Sequence, residues 1–167
     1  MDIKVVDISL IDFSSSIDFV RAESIVHPAY VAGIIDGEGS ITIMKSVRKY
    51  KSGEEYNYYQ LRICVDNHSK ELIRVLYNAF GGSNYICKKD LTYKWVVTSK
   101  DVYSILKWCY NYLVIKKEQA DICFEFFNTT INRGLSDEVN YSREKLYSKM
   151  KLEHKRFTMK YKMLGCE

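Results

Sequence analysis

This chain of 167 residues contains one proline, eight glycines and three histidines that stand far apart, His27, His68 and His154. So little proline and glycine excludes a collagen-like or low-complexity chain. No apolar run approaches the roughly 20 residues that a spanning helix requires, so no membrane partner is expected. The start, Met1-Asp2-Ile3-Lys4-Val5-Val6-Asp7, sets acids inside its apolar stretch, unlike a secretory leader. The five cysteines, Cys64, Cys87, Cys109, Cys123 and Cys166, are odd in number and have no C-x-x-C spacing. This pattern argues against a zinc site and against a secreted disulfide scaffold. Free thiols suit a reducing compartment, so the expected location is intracellular: cytoplasmic, or organellar in a eukaryotic host.

What is present points to a packed domain. Hydrophobic residues make up 47% and charged residues 28%, enough for a real core. Lys and Arg outnumber Asp and Glu by 25 to 21, and the excess lies late in the chain. From Arg143 to Lys162, eight basic side chains stand against Glu144 and Glu153. Such a cluster suits a polyanion or makes a solvated helix face, and charge alone does not separate the two. Fourteen tyrosines, as in Tyr56-Asn57-Tyr58-Tyr59-Gln60, bring apolar area and a hydroxyl suited to a wet interface.

Hydrophobic periodicity divides the chain into elements. Residues 1–27 read as an extension packed on the main body. In it Val5, Val6, Ile8, Leu10 and Ile11 fit a strand or a helical turn, and Ile17 to Ile25 fits a helix. The main domain, 28–167, opens with a helix from Pro28 to about Asp36, stopped by Gly37 and Gly39. Two alternating runs then read as an antiparallel hairpin, Ser40 to Arg48 and Tyr58 to Val65, around a turn at Lys51–Glu55. Its apolar face carries Ile41, Ile43, Tyr59, Leu61, Ile63 and Val65. Its polar face carries Thr42, Met44, Ser46, Arg48, Tyr58, Gln60 and Arg62. A helix capped by Ser69 runs to Phe80. A shorter hairpin follows, Tyr85 to Lys89 and Tyr93 to Thr98, then helices Lys100 to Leu113 and Lys116 to Ile131, with a stop at Asn132-Arg133-Gly134. The basic region 137–167 reads as helical. The order α-β-β-α-β-β-α-α over the core 28–131 defines an α+β fold with a four-stranded antiparallel sheet, one of whose faces is unusually polar.

The informative segment is Val31-Ala32-Gly33-Ile34-Ile35-Asp36-Gly37-Glu38-Gly39-Ser40-Ile41. Gly33 and Gly37 are four apart and share a helical face, on which another backbone can approach closely. Asp36 and Glu38 stand at the helix C-terminus, where the dipole disfavours carboxylates. If two copies pair in parallel through that face, their acids converge and call for a hard cation such as Mg²⁺.

Val31–Ile41 resembles the LAGLIDADG motif, and the downstream element order is similar to that of the LAGLIDADG homing endonucleases. Val31 replaces the usual leucine, and Glu38 stands where the family often has Asp. The resemblance implies a DNA-binding saddle made by the four-stranded sheet. A single motif implies a homodimer, with Ala32, Gly33, Asp36 and Gly37 at its interface. It implies a site-specific endonuclease that makes a double-strand break with short 3′ overhangs in a long, near-palindromic duplex. At about 3.3 Å per strand residue and 3.4 Å per base pair, each protomer reads about ten base pairs. The implied readers are Thr42, Met44, Ser46, Arg48, Tyr58, Gln60, Arg62, Tyr85, Lys89 and Lys94. Glu38 and the Gly37 carbonyl would hold Mg²⁺, two or three divalent ions per dimer–DNA complex, with Mn²⁺ or Ca²⁺ able to replace it for binding. No small-molecule cofactor is implied. Lys116, with Lys117 as rival, matches the family's catalytic lysine, and Asn67 or its neighbour Asp66 would position water. The alternative function is an RNA maturase that aids intron splicing without needing catalysis.

Overall fold

Local chemistry sets the element boundaries. The computed structural model describes residues 16–131 and 136–163, so the expected strand or turn at Val5–Ile11 and the stop at Asn132-Arg133-Gly134 lie outside the described residues. The Asp18 carboxylate caps α1 (Phe19–Ile25) by accepting from the Arg21 N–H at 3.1 Å. His27 Nδ1 accepts from Ala29 N–H at 3.2 Å and, with Pro28 at the first position, starts α2 (Pro28–Glu38). The helix runs two residues beyond its expected end, so Gly37 is helical, Glu38 is its last residue and Gly39 is its cap.

β1 (Gly39–Lys49) and β2 (Glu55–Asn67) form the long hairpin, followed by α3 (Lys70–Phe80), β3 (Ser83–Cys87) and β4 (Thr92–Thr98). Ser69 Oγ caps α3 by accepting from Leu72 N–H at 3.2 Å. Gly81 and Gly82 follow with φ of +69° and +86°. A Cβ on Gly82 would lie 2.5 Å from the Val96 carbonyl oxygen, so only glycine lets this turn meet β4. The second hairpin is shorter than expected: β3 ends at Cys87, and Lys89 lies in the turn instead of on a strand. α4 (Lys100–Cys109) stops earlier than expected and passes into a 3₁₀ turn, Tyr110–Tyr112, before α5 (Lys117–Ile131) and α6 (Asp137–Met163).

All strands are antiparallel, in the order β1-β2-β4-β3. One face carries Ile41, Ile43, Tyr59, Leu61, Ile63, Val65, Trp95 and Val97, all buried under the helices. Trp95 is fully buried, yet its indole N–H is satisfied by the Gly81 carbonyl at 2.9 Å. α1 docks through Phe19, whose ring lies 6.5 Å from Phe80 and 5.7 Å from Trp108. Trp108 in turn donates to Glu23 at 2.9 Å.

The described part of the basic tail is structural. Leu146 and Met150 of α6 are buried, and Arg143 donates to the Thr129 carbonyl at 3.1 Å. Lys149 pairs with Glu125 at 2.9 Å, and His154 Nε2 lies 2.9 Å from the Ile41 carbonyl on edge strand β1. Glu144 accepts from Lys45 at 2.6 Å and from the Tyr59 hydroxyl. Hydrogen bonds from Lys45 first and Tyr59 second hold the Glu144 carboxyl below the ordinary Glu range.

Two outcomes follow from this docking. Met150→Ala should lower the unfolding free energy by about 2–5 kcal/mol in a denaturant titration, because it empties a closed site under α6. Because the folded-state pKa of Glu144 is depressed, its contribution is fully present above the ordinary Glu value and is lost as pH falls through the folded one. Thermal melts of Glu144→Gln should therefore lose stability relative to wild type at neutral pH, with the gap closing on acidification.

Candidate active site and nucleic-acid face

The end of the motif helix and the start of α5 cap each other. At the C-terminus of α2, Lys116 Nζ donates to the carbonyls of Ile35 at 2.7 Å and Asp36 at 2.5 Å. In return the Asp36 carboxylate accepts from the N–H groups of Val114 at 2.8 Å, Ile115 at 3.2 Å and Lys116 at 2.9 Å, just ahead of α5. A cation thus sits at the negative end of one dipole and an anion at the positive end of another, which is the favourable arrangement for both. Lys116 is one of two buried polar residues among the described ones, with Gln119, one turn along α5, as the other. Burial lowers the Lys116 pKa, and the nearby Asp36 and Glu38 carboxylates oppose that shift.

This geometry places two of the expected interface residues. The Asp36 carboxylate holds the start of α5 within its own chain. Ala32 is fully buried beneath α2 with Val31 and Ile35, and so is absent from the outer face. That outer face carries Gly33 and Gly37, both exposed, where an added Cβ would meet nothing within 4 Å. Tyr30 stands on the same helix, and Val114 and Ile115 are brought to its end through their N–H bonds to Asp36, with exposures of 55%, 82% and 45%. Glu38 is exposed at the helix end. The chain turns into β1 at Gly39, whose Cβ would lie 2.7 Å from Ile35 Cα and carbonyl oxygen, so a side chain there would push the strand away from Glu38.

The strand register brings most of the expected readers together. Thr42 faces Arg62, Met44 faces Gln60, and Ser46 faces Tyr58 across β1 and β2. Arg48 lies over the Tyr58 ring, 3.3 Å from its centroid. Gln60 donates to Ser99 Oγ at 3.1 Å, and Arg62 reaches the Tyr85 hydroxyl at 3.5 Å. Lys94, opposite Tyr85, is paired with Asp66. Lys89 is exposed in the turn beyond the end of β3. Asn67 and Asp66 have separate surroundings. Asn67 Oδ1 accepts from Ser69 N–H at 2.7 Å, while Asp66 belongs to the open face with Lys94. The open face also holds Tyr56, Ser83, Val96 and Thr98, by register with Arg48, Val96, Cys64 and Arg62. Strand parity alone could have identified them.

The fold and this geometry agree with known proteins. A family model described as LAGLIDADG endonuclease matches residues 31–131, and the chain therefore belongs to that family. Among solved structures it is similar to the homing endonuclease I-CvuI in complex with its target, at 18% identity and a TM-score of 0.67, covering 81% of this chain and 85% of that one. It is also similar to the archaeal intron-encoded homing endonuclease I-Vdi141I complexed with DNA, at 19% identity and a TM-score of 0.63, covering 75% and 82%. I-GzeII, a LAGLIDADG homing endonuclease in complex with a DNA target, matches at 25% identity and a TM-score of 0.53, covering 75% of this chain and 43% of that one. No curated protein matches the chain in sequence. No helix among the described residues is long and apolar enough to cross a membrane.

The mutual cap has a measurable worth. Asp36→Ala leaves three backbone N–H groups without their anion and should cost about 2 kcal/mol. In a chain of this size that corresponds to a fall in Tm of about 4–8 °C by differential scanning fluorimetry.

Proposed function

We propose that two copies of this chain pair through the Gly33–Gly37 face of α2 and make a double-strand break in a long, near-palindromic DNA site. The break arises by metal-dependent phosphodiester hydrolysis and leaves short 3′ overhangs. One observation carries the reading. The exposed Glu38 carboxylate ends the motif helix beside the buried Lys116 ammonium, and the next residue begins the strand that leads onto the polar sheet face. A reactive phosphate lying across the start of β1 would meet both charges.

The donor chemistry at this end of α2 fits a hard divalent ion. The carbonyls of Ile34 and Ile35 accept from Gly39 N–H, and those of Ile35 and Asp36 accept from Lys116. The next oxygens outward are the Gly37 carbonyl and the Glu38 carboxylate, both oxygen ligands of the kind Mg²⁺ prefers. Among the described residues no three His, Cys, Asp or Glu side chains gather into a metal site. Remaining ligands would therefore come from the phosphate, water and the second copy. I-CvuI complexes with DNA in the presence of Ca and of Mg support the same choice of ion here. When bound, the ion supplies an activated water and stabilises the leaving 3′-oxygen.

The chain's own residues do the rest. Lys116 holds a cation in a desolvated setting, where its field acts on a phosphate more strongly than that of a solvated lysine. Asn67, its orientation fixed by Ser69 N–H, is the proposed water-positioning residue at the end of β2. Thr42, Met44, Ser46, Arg48, Tyr58, Gln60, Arg62 and Tyr85 read base edges in the major groove, with Arg to guanine and Gln to adenine favoured. A C₂ pair of such faces requires a target with matching two-fold symmetry. The exposed Tyr30, Val114 and Ile115 supply apolar area beside the glycines for that pairing.

Glu38→Gln should abolish plasmid cleavage in Mg²⁺ while leaving duplex binding in a gel-shift assay intact. Undiminished cutting by that variant would overturn the catalytic assignment. Light scattering of the DNA complex should give two protein chains per duplex, and a single chain would overturn the pairing.

A further inference from the structure

We infer that Gln119 is a positioning residue for the cleavage step: its side-chain carbonyl takes a hydrogen bond from the Lys116 ammonium when that ammonium turns to a phosphate. The inference rests on the DNA-cleavage reading above, in which Gln119 has no part.

Gln119 is a buried polar group whose hydrogen bonding is incomplete. It is 4% exposed, and its Oε1 is shut off from solvent and has no hydrogen-bond partner. A buried acceptor left in this way is costly, so it calls for a state in which a donor answers it. Its place explains how it came to be orphaned. The Lys116 carbonyl accepts from Ala120 N–H at 3.0 Å, which makes Lys116 the N-cap of α5 and Gln119 the third residue after it. At that position a Gln ordinarily reaches back to the N-cap N–H and closes a capping box. Here the Asp36 carboxylate accepts from Lys116 N–H at 2.9 Å, so that donor is already taken.

The ammonium of the same lysine is a second donor. Lys116 is 7% exposed and lies three residues before Gln119, the spacing that sets side chains beside each other at a helix start. Its Nζ donates to the Ile35 and Asp36 carbonyls at the end of α2. The Ile35 carbonyl also accepts from Gly39 N–H, so it stays satisfied when the ammonium leaves it. Turning toward a phosphate across the start of β1 thus gives up one bond, which bulk water cannot replace in so closed a place. The Gln119 carbonyl replaces it. That carbonyl is unanswered before the ammonium engages the phosphate and answered afterwards, so it favours the reacting arrangement over the resting one.

A duplex that wild type cuts, selected from a random library in Mg²⁺, is the substrate for the test. Gln119→Met keeps an unbranched side chain and removes the acceptor. This variant should melt no lower than wild type, because an orphaned acceptor is lost. It should bind the duplex within about twofold of wild type in a gel shift, yet cut the bound duplex about tenfold more slowly in single turnover. In the background of Lys116→Met the same change should have no further effect, because Gln119 acts through the ammonium. Cutting at the wild-type rate, a melting point well below wild type, a parallel loss of binding, or a further slowing in the Lys116→Met background would each overturn the inference. If Lys116→Met does not fold or does not cut, Gln119→Met decides alone. A wild type that cuts no member of the library would instead remove the endonuclease reading itself.

Discussion

The reciprocal cap between Asp36 and Lys116 is the contact on which the site depends. It joins the end of α2 to the start of α5 through five hydrogen bonds, three accepted by one carboxylate and two donated by one ammonium. Each group also answers a helix dipole that would otherwise face it unfavourably. The result is that Glu38 and Lys116, nearly eighty residues apart in sequence, are held at one place by backbone and not by flexible side chains alone. A functional site placed on helix ends in this way is better fixed than one on a free loop.

From that junction the chain's geometry divides labour. α2 presents an uncovered glycine face outward and buries Val31, Ala32 and Ile35 inward. β1 leaves the junction at Gly39, where contact with Ile35 admits no side chain, and carries its polar residues along the open sheet face. The helices above the other face supply an apolar core that centres on Trp95 and Phe126. Rigidity behind the sheet matters for the proposed function, because base reading needs side chains held at fixed spacing.

Much of this was legible in the sequence, and the physics says why. Period-two alternation in Ser40–Arg48 and Tyr58–Val65 is a local signal, so both strands and their polar faces could be read directly. Ser69 and the Gly81-Gly82 pair marked the limits of α3 in the same local way. What failed were contacts between distant segments. Asp36 looked like a strained acid at a helix end because its partners, the N–H groups of Val114 to Lys116, are far away in the chain. Ala32, which the resemblance put at the interface, is buried within its own chain, a placement set by the helix's angular position against its neighbours. Lys89 was counted in a strand because the end of β3 depends on pairing with Thr92, which a single run cannot reveal. The role of the basic tail stayed open in the sequence, since its buried stripe of Leu146 and Met150 is diluted by lysines.

The grip of α6 on β1 has a consequence for assembly. β1 is an edge of the sheet, and edge strands invite another strand to continue the ladder. His154 on the Ile41 carbonyl occupies one of those outward-facing groups, and Lys45 further along the same strand is tied to Glu144. A strand sealed at its margin by the chain's own helix cannot extend into a neighbour's sheet there, which protects a long, tyrosine-rich ribbon from runaway stacking.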